Sequence, residues 1–169
     1  MLTTYLNDGR RPPRRSAYRN AHAYLAAPYG VYDTADGYLA IAMTNLPTLG
    51  KLLGLPELER ISDQGDGFRN RDSIKQTIAR RLKEQSIEHW LEILNTADIW
   101  CAEILDWPTL CDSEAFRQLE MVQTLRDGAN IEILTTRLPL RLDGNVLKNE
   151  KLAPKVGQHN AVIEEEFGL

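Results

Sequence analysis

The chain has 169 residues, a formal net charge of −4, 43% hydrophobic residues and 26% charged residues. That length supports one hydrophobic core with room for an appended arm. The acidic balance argues against nucleic acid as a general partner. No apolar run approaches the roughly 20 residues of a membrane span, so no membrane partner is expected.

The first residues, Met1 to Leu6, read as the last turns of a helix stopped by Asn7-Asp8-Gly9. A helix entering at full stride is an odd domain start. Arg10 to Ala26 reads as an extended basic connector broken by Pro12-Pro13. Arg10, Arg11, Arg14, Arg15 and Arg19 face one acid there, Asp8, whereas Glu164, Glu165 and Glu166 crowd the other end. No apolar stretch follows the arginines, so no secretory or twin-arginine signal is expected and the compartment expected is the cytoplasm.

Ala27 to Ala42 reads as a hairpin. Pro28 pushes Ala27 toward extended backbone. Val31 and Tyr32 suit a first strand, Ala35-Asp36-Gly37 a turn with Gly37 at positive φ, and Tyr38, Leu39 and Ile41 a second strand. Asn45 then caps a helix whose Leu46, Leu49, Leu52 and Leu53 keep helical spacing and whose stop is Gly54. Leu55-Pro56-Glu57-Leu58 starts a brief turn, and Ser62 to Asn70, with Gly65 and Gly67, reads as a loop.

Asp72 or Ser73 is expected to cap a helix with Ile74, Ile78 and Leu82 inward and Lys75, Arg80, Arg81 and Lys83 mostly outside. Ser86 opens another with Ile87, Trp90, Leu91 and Leu94 on one side, leaving His89 off the stripe as a solvated histidine. Ile99 to Leu105 is strand-like, and short helices begin at Trp107-Pro108 and Ser113. Met121 to Leu125, Ile131 to Thr136 and Leu138 to Leu142 read as strands, with turns at Gly128 and Asp143-Gly144, and a helix runs from Asn160 to Phe167. The class expected is α+β: a small mixed domain with an antiparallel hairpin and several short helices, flanked by two arms.

Cys101 and Cys111 are too few and too far apart for a zinc site and read as two reduced thiols packed as small hydrophobes. No metal site is expected. His159 reads as a cap or lead-in to the last helix. The arginine cluster has three readings: a solvated linker, pairing with the acidic tail of a partner subunit, or a set of bidentate contacts to phosphates.

The hairpin wording Pro28-Tyr29-Gly30 through Gly37-Tyr38-Leu39 resembles the small domain of family III CoA-transferases, the CaiB/BaiF type that includes formyl-CoA transferases and α-methylacyl-CoA racemases. Asn20-Ala21-His22, Phe68-Arg69-Asn70-Arg71, Ala102-Glu103-Ile104-Leu105, Arg137 to Leu142, and Ala153-Pro154 through Gly157-Gln158-His159 resemble further family segments in the same order. There are departures. Ala23-Tyr24-Leu25-Ala26-Ala27 stands where formyl-CoA transferase has a polyglycine loop, and Met43-Thr44-Asn45-Leu46-Pro47 lacks the acid expected of the racemase branch, which disfavours a racemase fragment.

The resemblance implies the C-terminal part of such an enzyme, with residues 1–26 a large-domain remnant and linker, 27–119 the small domain, and 120–169 returning toward the large domain. In the family an aspartate carboxylate attacks the acyl-CoA thioester. That aspartate belongs to the large domain, so no catalytic residue is nominated here and no activity is expected of the chain alone. Coenzyme A is implied as a substrate rather than a tightly bound cofactor. Asn20, His22 and Tyr29 are the residues implied to face it, with linker and hairpin packing as their structural alternative. An interlocked homodimer or larger assembly is implied, or a separate N-terminal half as partner. The rival reading is a free-standing interaction module that kept the scaffold without the chemistry.

Overall fold

The computed structural model describes residues 2–17, 22–61, 64–126, 131–149 and 151–168. Its class is α+β, with short helices around small antiparallel sheets. Contacts divide the chain into two compact units, Met1–Ile104 and Leu105–Leu169.

The first unit opens with helix α1 (Leu2–Asn7), which carries no buried residue. Strands β1 (Gly30–Asp33) and β2 (Tyr38–Ile41) form the expected hairpin, with Tyr32 opposite Leu39 and Val31 opposite Ala40. Gly37 does not have the positive φ expected of it. The turn is closed by the Thr34 amide donating to the Gly37 carbonyl at 2.9 Å, and side chains add to it: the Gly37 amide donates to Thr34 Oγ1 at 3.1 Å, and Asp36 Oδ1 accepts from the Ile87 amide at 2.9 Å. A Cβ on Gly37 would lie 2.8 Å from Ile87 Cδ1, so close approach is what favours glycine there.

Helix α2 (Leu46–Leu53) starts as its sequence dictates, Asn45 Oδ1 accepting from the Thr48 amide at 3.0 Å, and stops at Gly54 with φ 66°. After it come α3 (Pro56–Glu59) and α4 (Gln64–Arg69). The second falls where two glycines suggested a loop; the bond from the Ala27 amide to the Gly67 carbonyl (3.2 Å) fixes that segment from outside. Helix α5 (Arg71–Leu82) is not capped by Asp72 or Ser73. Asn70 sits at the cap position without a side-chain bond, and Asp72 instead accepts from Ser16 Oγ at 2.6 Å and the Ala17 amide at 3.1 Å.

Ser86 caps α6 (Ile87–Thr96) as expected, and His89 is exposed. Strand β3 (Cys101–Glu103) pairs antiparallel with β2, giving the order β1-β2-β3. Tyr32, Leu39 and Ile41 on one sheet face meet Leu49 and Leu53 of α2, Ile74, Ile78 and Leu82 of α5, and Trp90 and Leu94 of α6 in a single core. Trp90 satisfies its indole by donating to the Leu82 carbonyl at 2.8 Å. Lys75 is a correction: expected outside, it is 1% exposed.

The second unit contains α7 (Trp107–Asp112), α8 (Glu114–Gln118), the ribbon β4 (Val122–Arg126) with β5 (Glu132–Thr136), the small hairpin β6 (Arg141–Leu142) with β7 (Asn145–Val146), and α9 (Asn160–Phe167). The strand expected from Leu138 is confined to β6, because Asp143 and Gly144, both at positive φ, turn the chain at once into β7. The Gly128 turn lies outside the described residues. No hydrophobic side chain among this unit's described residues is buried, whereas Arg137 is. Cys111 is exposed rather than packed, and Cys101 is half-buried, which pushes its thiol pKa up.

Candidate functional site

The connector and the hairpin meet the helices around a cleft of about 550 Å³. Its walls are Tyr24 to Ala27, Met43 to Pro47, Ile61, and Gly67 with Phe68. Each wall has a local cause. The first is drawn in by the Ala27–Gly67 backbone bond and by a turn in which His22 Nδ1 accepts from the Tyr24 amide at 3.2 Å. The second is the capped start of α2. The third is tightly packed: a Cβ at Gly67 would sit 3.2 Å from Leu46 Cδ1, so that leucine would have to give by a few tenths of an ångström.

No charged side chain among the described residues lines the cleft. Its polar lining residues are Tyr24, Thr44 and Asn45. Tyr24 Oη is buried and has no hydrogen-bond partner among the described residues. A buried hydroxyl left unpaired costs about 1–3 kcal/mol. The helix start offers less: Pro47 has no amide hydrogen, and Asn45 already takes that of Thr48.

Of the three residues implied by the sequence, Asn20 lies outside the described residues. His22 is half-buried beside Tyr24, with ring centres 6.4 Å apart, and its ring nitrogen is engaged in the turn. Tyr29 lines a different groove, of about 550 Å³, on the open face of the three-stranded sheet. His22 and Tyr29 are thus not brought to one cavity. Tyr24 and Thr44 were missed; the signal for Tyr24 was a lone polar aromatic in an alanine-rich stretch.

A second feature sits beneath the hairpin. Arg71, Asp72 and Lys75 follow one face of α5. The Arg71 guanidinium donates to the Arg14 carbonyl and lies 4.3 Å from the Phe68 ring centre. The Ser16 hydroxyl, above all, lowers the Asp72 pKa below its usual value. Lys75 Nζ has no hydrogen-bond partner among the described residues. Burial, aided by the Arg71 charge, pushes its pKa down. No group of three or more His, Cys, Asp or Glu suited to a metal occurs among the described residues.

Comparison with known proteins gives a consistent picture. The family model described as CoA-transferase family III matches residues 1–160. A curated relative, the acetyl-CoA:oxalate CoA-transferase of Acetobacter aceti, is 25% identical over 98% of this chain and 42% of its own length. The probable fatty acyl-CoA transferase of Mycobacterium tuberculosis is 22% identical over 90% of this chain and 40% of its own. Among solved structures, a CAIB/BAIF family protein from Brucella suis aligns with a TM-score of 0.65 and 26% identity, covering 98% of this chain and 43% of that one. The M. tuberculosis protein in its orthorhombic form aligns at 0.59 and 21% identity, covering 95% and 44%. The chain therefore spans about two fifths of the length of these relatives.

Proposed function

The chain belongs to CoA-transferase family III, and from that premise we propose that it forms the small-domain wall of an acyl-CoA site. On this reading the aspartate that carries acyl and CoA groups is supplied by the part of the enzyme that this chain does not match, and coenzyme A enters as a substrate. The observation that carries the proposal is the Tyr24–Pro47–Phe68 cleft, whose described lining holds no charged side chain and includes Tyr24, a residue whose buried hydroxyl has no hydrogen-bond partner among the described residues. Such a site suits a thioester, whose carbonyl oxygen is a neutral acceptor that gains negative charge as it is attacked.

Mixing the chain with the uncovered N-terminal part of the A. aceti relative, and assaying CoA transfer from acetyl-CoA to oxalate, tests the proposal. Transfer is expected from the mixture and from neither piece alone. In the mixture Tyr24→Phe should lower the rate about tenfold to a hundredfold, while stabilising the free chain by about 1 kcal/mol through loss of an unpaired hydroxyl. A variant that raises stability and leaves transfer intact would remove the cleft from the active site. A mixture without transfer, formed from pieces that do associate, would favour the interaction-module reading.

A further inference from the structure

The cleft around the start of α2 has two unlike ends. At one of them three segments converge: a Cβ on Gly67 of α4 would lie 3.2 Å from Leu46 Cδ1, 3.7 Å from the Ala27 carbonyl oxygen and 3.8 Å from the Ala26 Cβ. Leu46 and Ala27 are buried, and the Ala27 amide donates to the Gly67 carbonyl, so this end is closed. At the other end two large apolar side chains stand in water, Met43 at 66% and Phe68 at 39% exposure. Arg71 fixes the Phe68 ring, its guanidinium lying 4.3 Å from the ring centre and bonded to the Arg14 carbonyl. Met43 is a flexible thioether that follows the shape of whatever lies against it. The cleft therefore runs from an apolar rim, one side fixed and one adaptable, to a floor of small aliphatic groups.

Those surfaces rank acyl groups by their chemistry. Each methylene moved from water to such walls gains about threefold to fourfold in affinity. The cleft's volume of about 550 Å³ holds a ligand well beyond the size of an acetyl group. A carboxylate at the far end of an acyl chain would have to shed its water against Leu46 and Ala26. It would also meet the Ala27 carbonyl oxygen, whose partial charge has the same sign as its own.

On the basis of the acyl-CoA reading above, we propose that this cleft selects the acyl group and that the group it selects is a straight aliphatic chain of medium length. The chain enters tail first past Met43 and Phe68, and its methyl end rests at Gly67. Acyl groups that end in a carboxylate are disfavoured. Gly67 sets the length limit, since any side chain there stands on the floor of the cleft. Met43 is a specificity residue at the rim and takes no part in the chemistry.

Binding to the full chain, with no transfer step, tests the proposal. The probes are the N-acetylcysteamine thioesters of butyrate, octanoate and succinate, followed by calorimetry and by the methyl resonance of Met43. Octanoyl should bind at least about tenfold more tightly than butyryl and shift the Met43 methyl, and succinyl should bind more weakly than butyryl. Met43→Asp, at an exposed position, should weaken octanoyl binding at least about threefold, whereas Met43→Leu should keep it. Gly67→Ala should weaken octanoyl binding and leave butyryl binding unchanged, with near-ultraviolet dichroism from buried Trp90 showing each variant folded. Affinities indifferent to chain length, succinyl bound as tightly as octanoyl, or a Met43 resonance that no probe moves overturns the proposal. The mixture with the N-terminal part of the A. aceti relative separates this proposal from the reading on which it rests. Length-dependent binding without transfer in that mixture would end the CoA-transfer reading and keep the cleft as an aliphatic-chain site. Acetyl transfer together with length-indifferent binding would keep that reading and end this proposal.

Discussion

Lys75 is the side chain whose placement is most costly for the free chain. It is fully buried, its ammonium has no hydrogen-bond partner among the described residues, and Arg71 adds a like charge that Asp72 only partly offsets. Its pKa is lower in the fold than the ordinary value of 10.5. Between those two values the unfolded chain holds a proton that the folded chain does not, so stability rises with pH through that window and is lowest beneath it. Lys75→Met should remove that rise and stabilise the protein by about 1–2 kcal/mol at neutral pH; urea midpoints at neutral and mildly alkaline pH check both effects. A less stable variant would mean that the ammonium has a partner.

Gly37 is the other residue whose role is sharply defined. Its φ is ordinary, so strain in the left-handed region is not the reason for glycine. A Cβ there would meet Ile87 Cδ1 at 2.8 Å, and a valine would push apart the hairpin turn and the start of α6. Gly37→Val is expected to cost about 1–3 kcal/mol by overpacking. Asp8→Ala, at an exposed position, should stay within about 0.5 kcal/mol. Equal denaturation midpoints for the two variants would show that the turn yields freely.

At the scale of elements, the second unit owes its order to one buried arginine rather than to a core. Arg137 donates to the carbonyls of Glu120 (2.8 Å), Leu138 (2.6 Å) and Leu119, closing the base of the β4–β5 ribbon. Lysine keeps the charge but loses the planar fork. Arg137→Lys should therefore speed amide exchange in β4 and β5 while leaving β1, β2 and α5 unchanged. Exchange that stays slow in the variant would show that the ribbon is held by something other than these bonds.

The elements legible in the sequence share one property: their signals are local. Asn45 and Ser86 announce α2 and α6 through bonds to amides three residues on, Gly54 stops α2 by its left-handed backbone, and strand alternation gives the hairpin. What was not legible depends on distant partners. Helix α4 carries two glycines and is held through Ala27. Asp72, a plausible cap, is taken by Ser16, 56 residues away. Lys75 lies on the stripe of Ile74, Ile78 and Leu82 by spacing alone, but its residue type argued for water. At the cleft, the capped start of α2 could be read in advance. The joining of Tyr24 to Gly67 and Phe68 could not, since it runs through a backbone bond between segments that carry no shared pattern.

At the scale of the whole molecule, two facts bear on one another. The chain belongs to CoA-transferase family III but spans about two fifths of its relatives' length, and its second unit exposes Leu134, Leu138, Leu140 and Leu142. In the proposed function it meets the part of the enzyme that bears the nucleophile. On that reading the cleft around Tyr24 contributes a wall of the site, and the attacking carboxylate comes from outside this chain. The direct measurement is chemical trapping on the purified chain alone. It is incubated with acetyl-CoA and with a long-chain acyl-CoA, then treated with hydroxylamine, which converts an anhydride or thioester of a side-chain carboxylate to a hydroxamate, and the intact mass is read. An unchanged mass is expected in every case. A hydroxamate on any aspartate or glutamate of this chain would place the nucleophile within it and contradict the assignment.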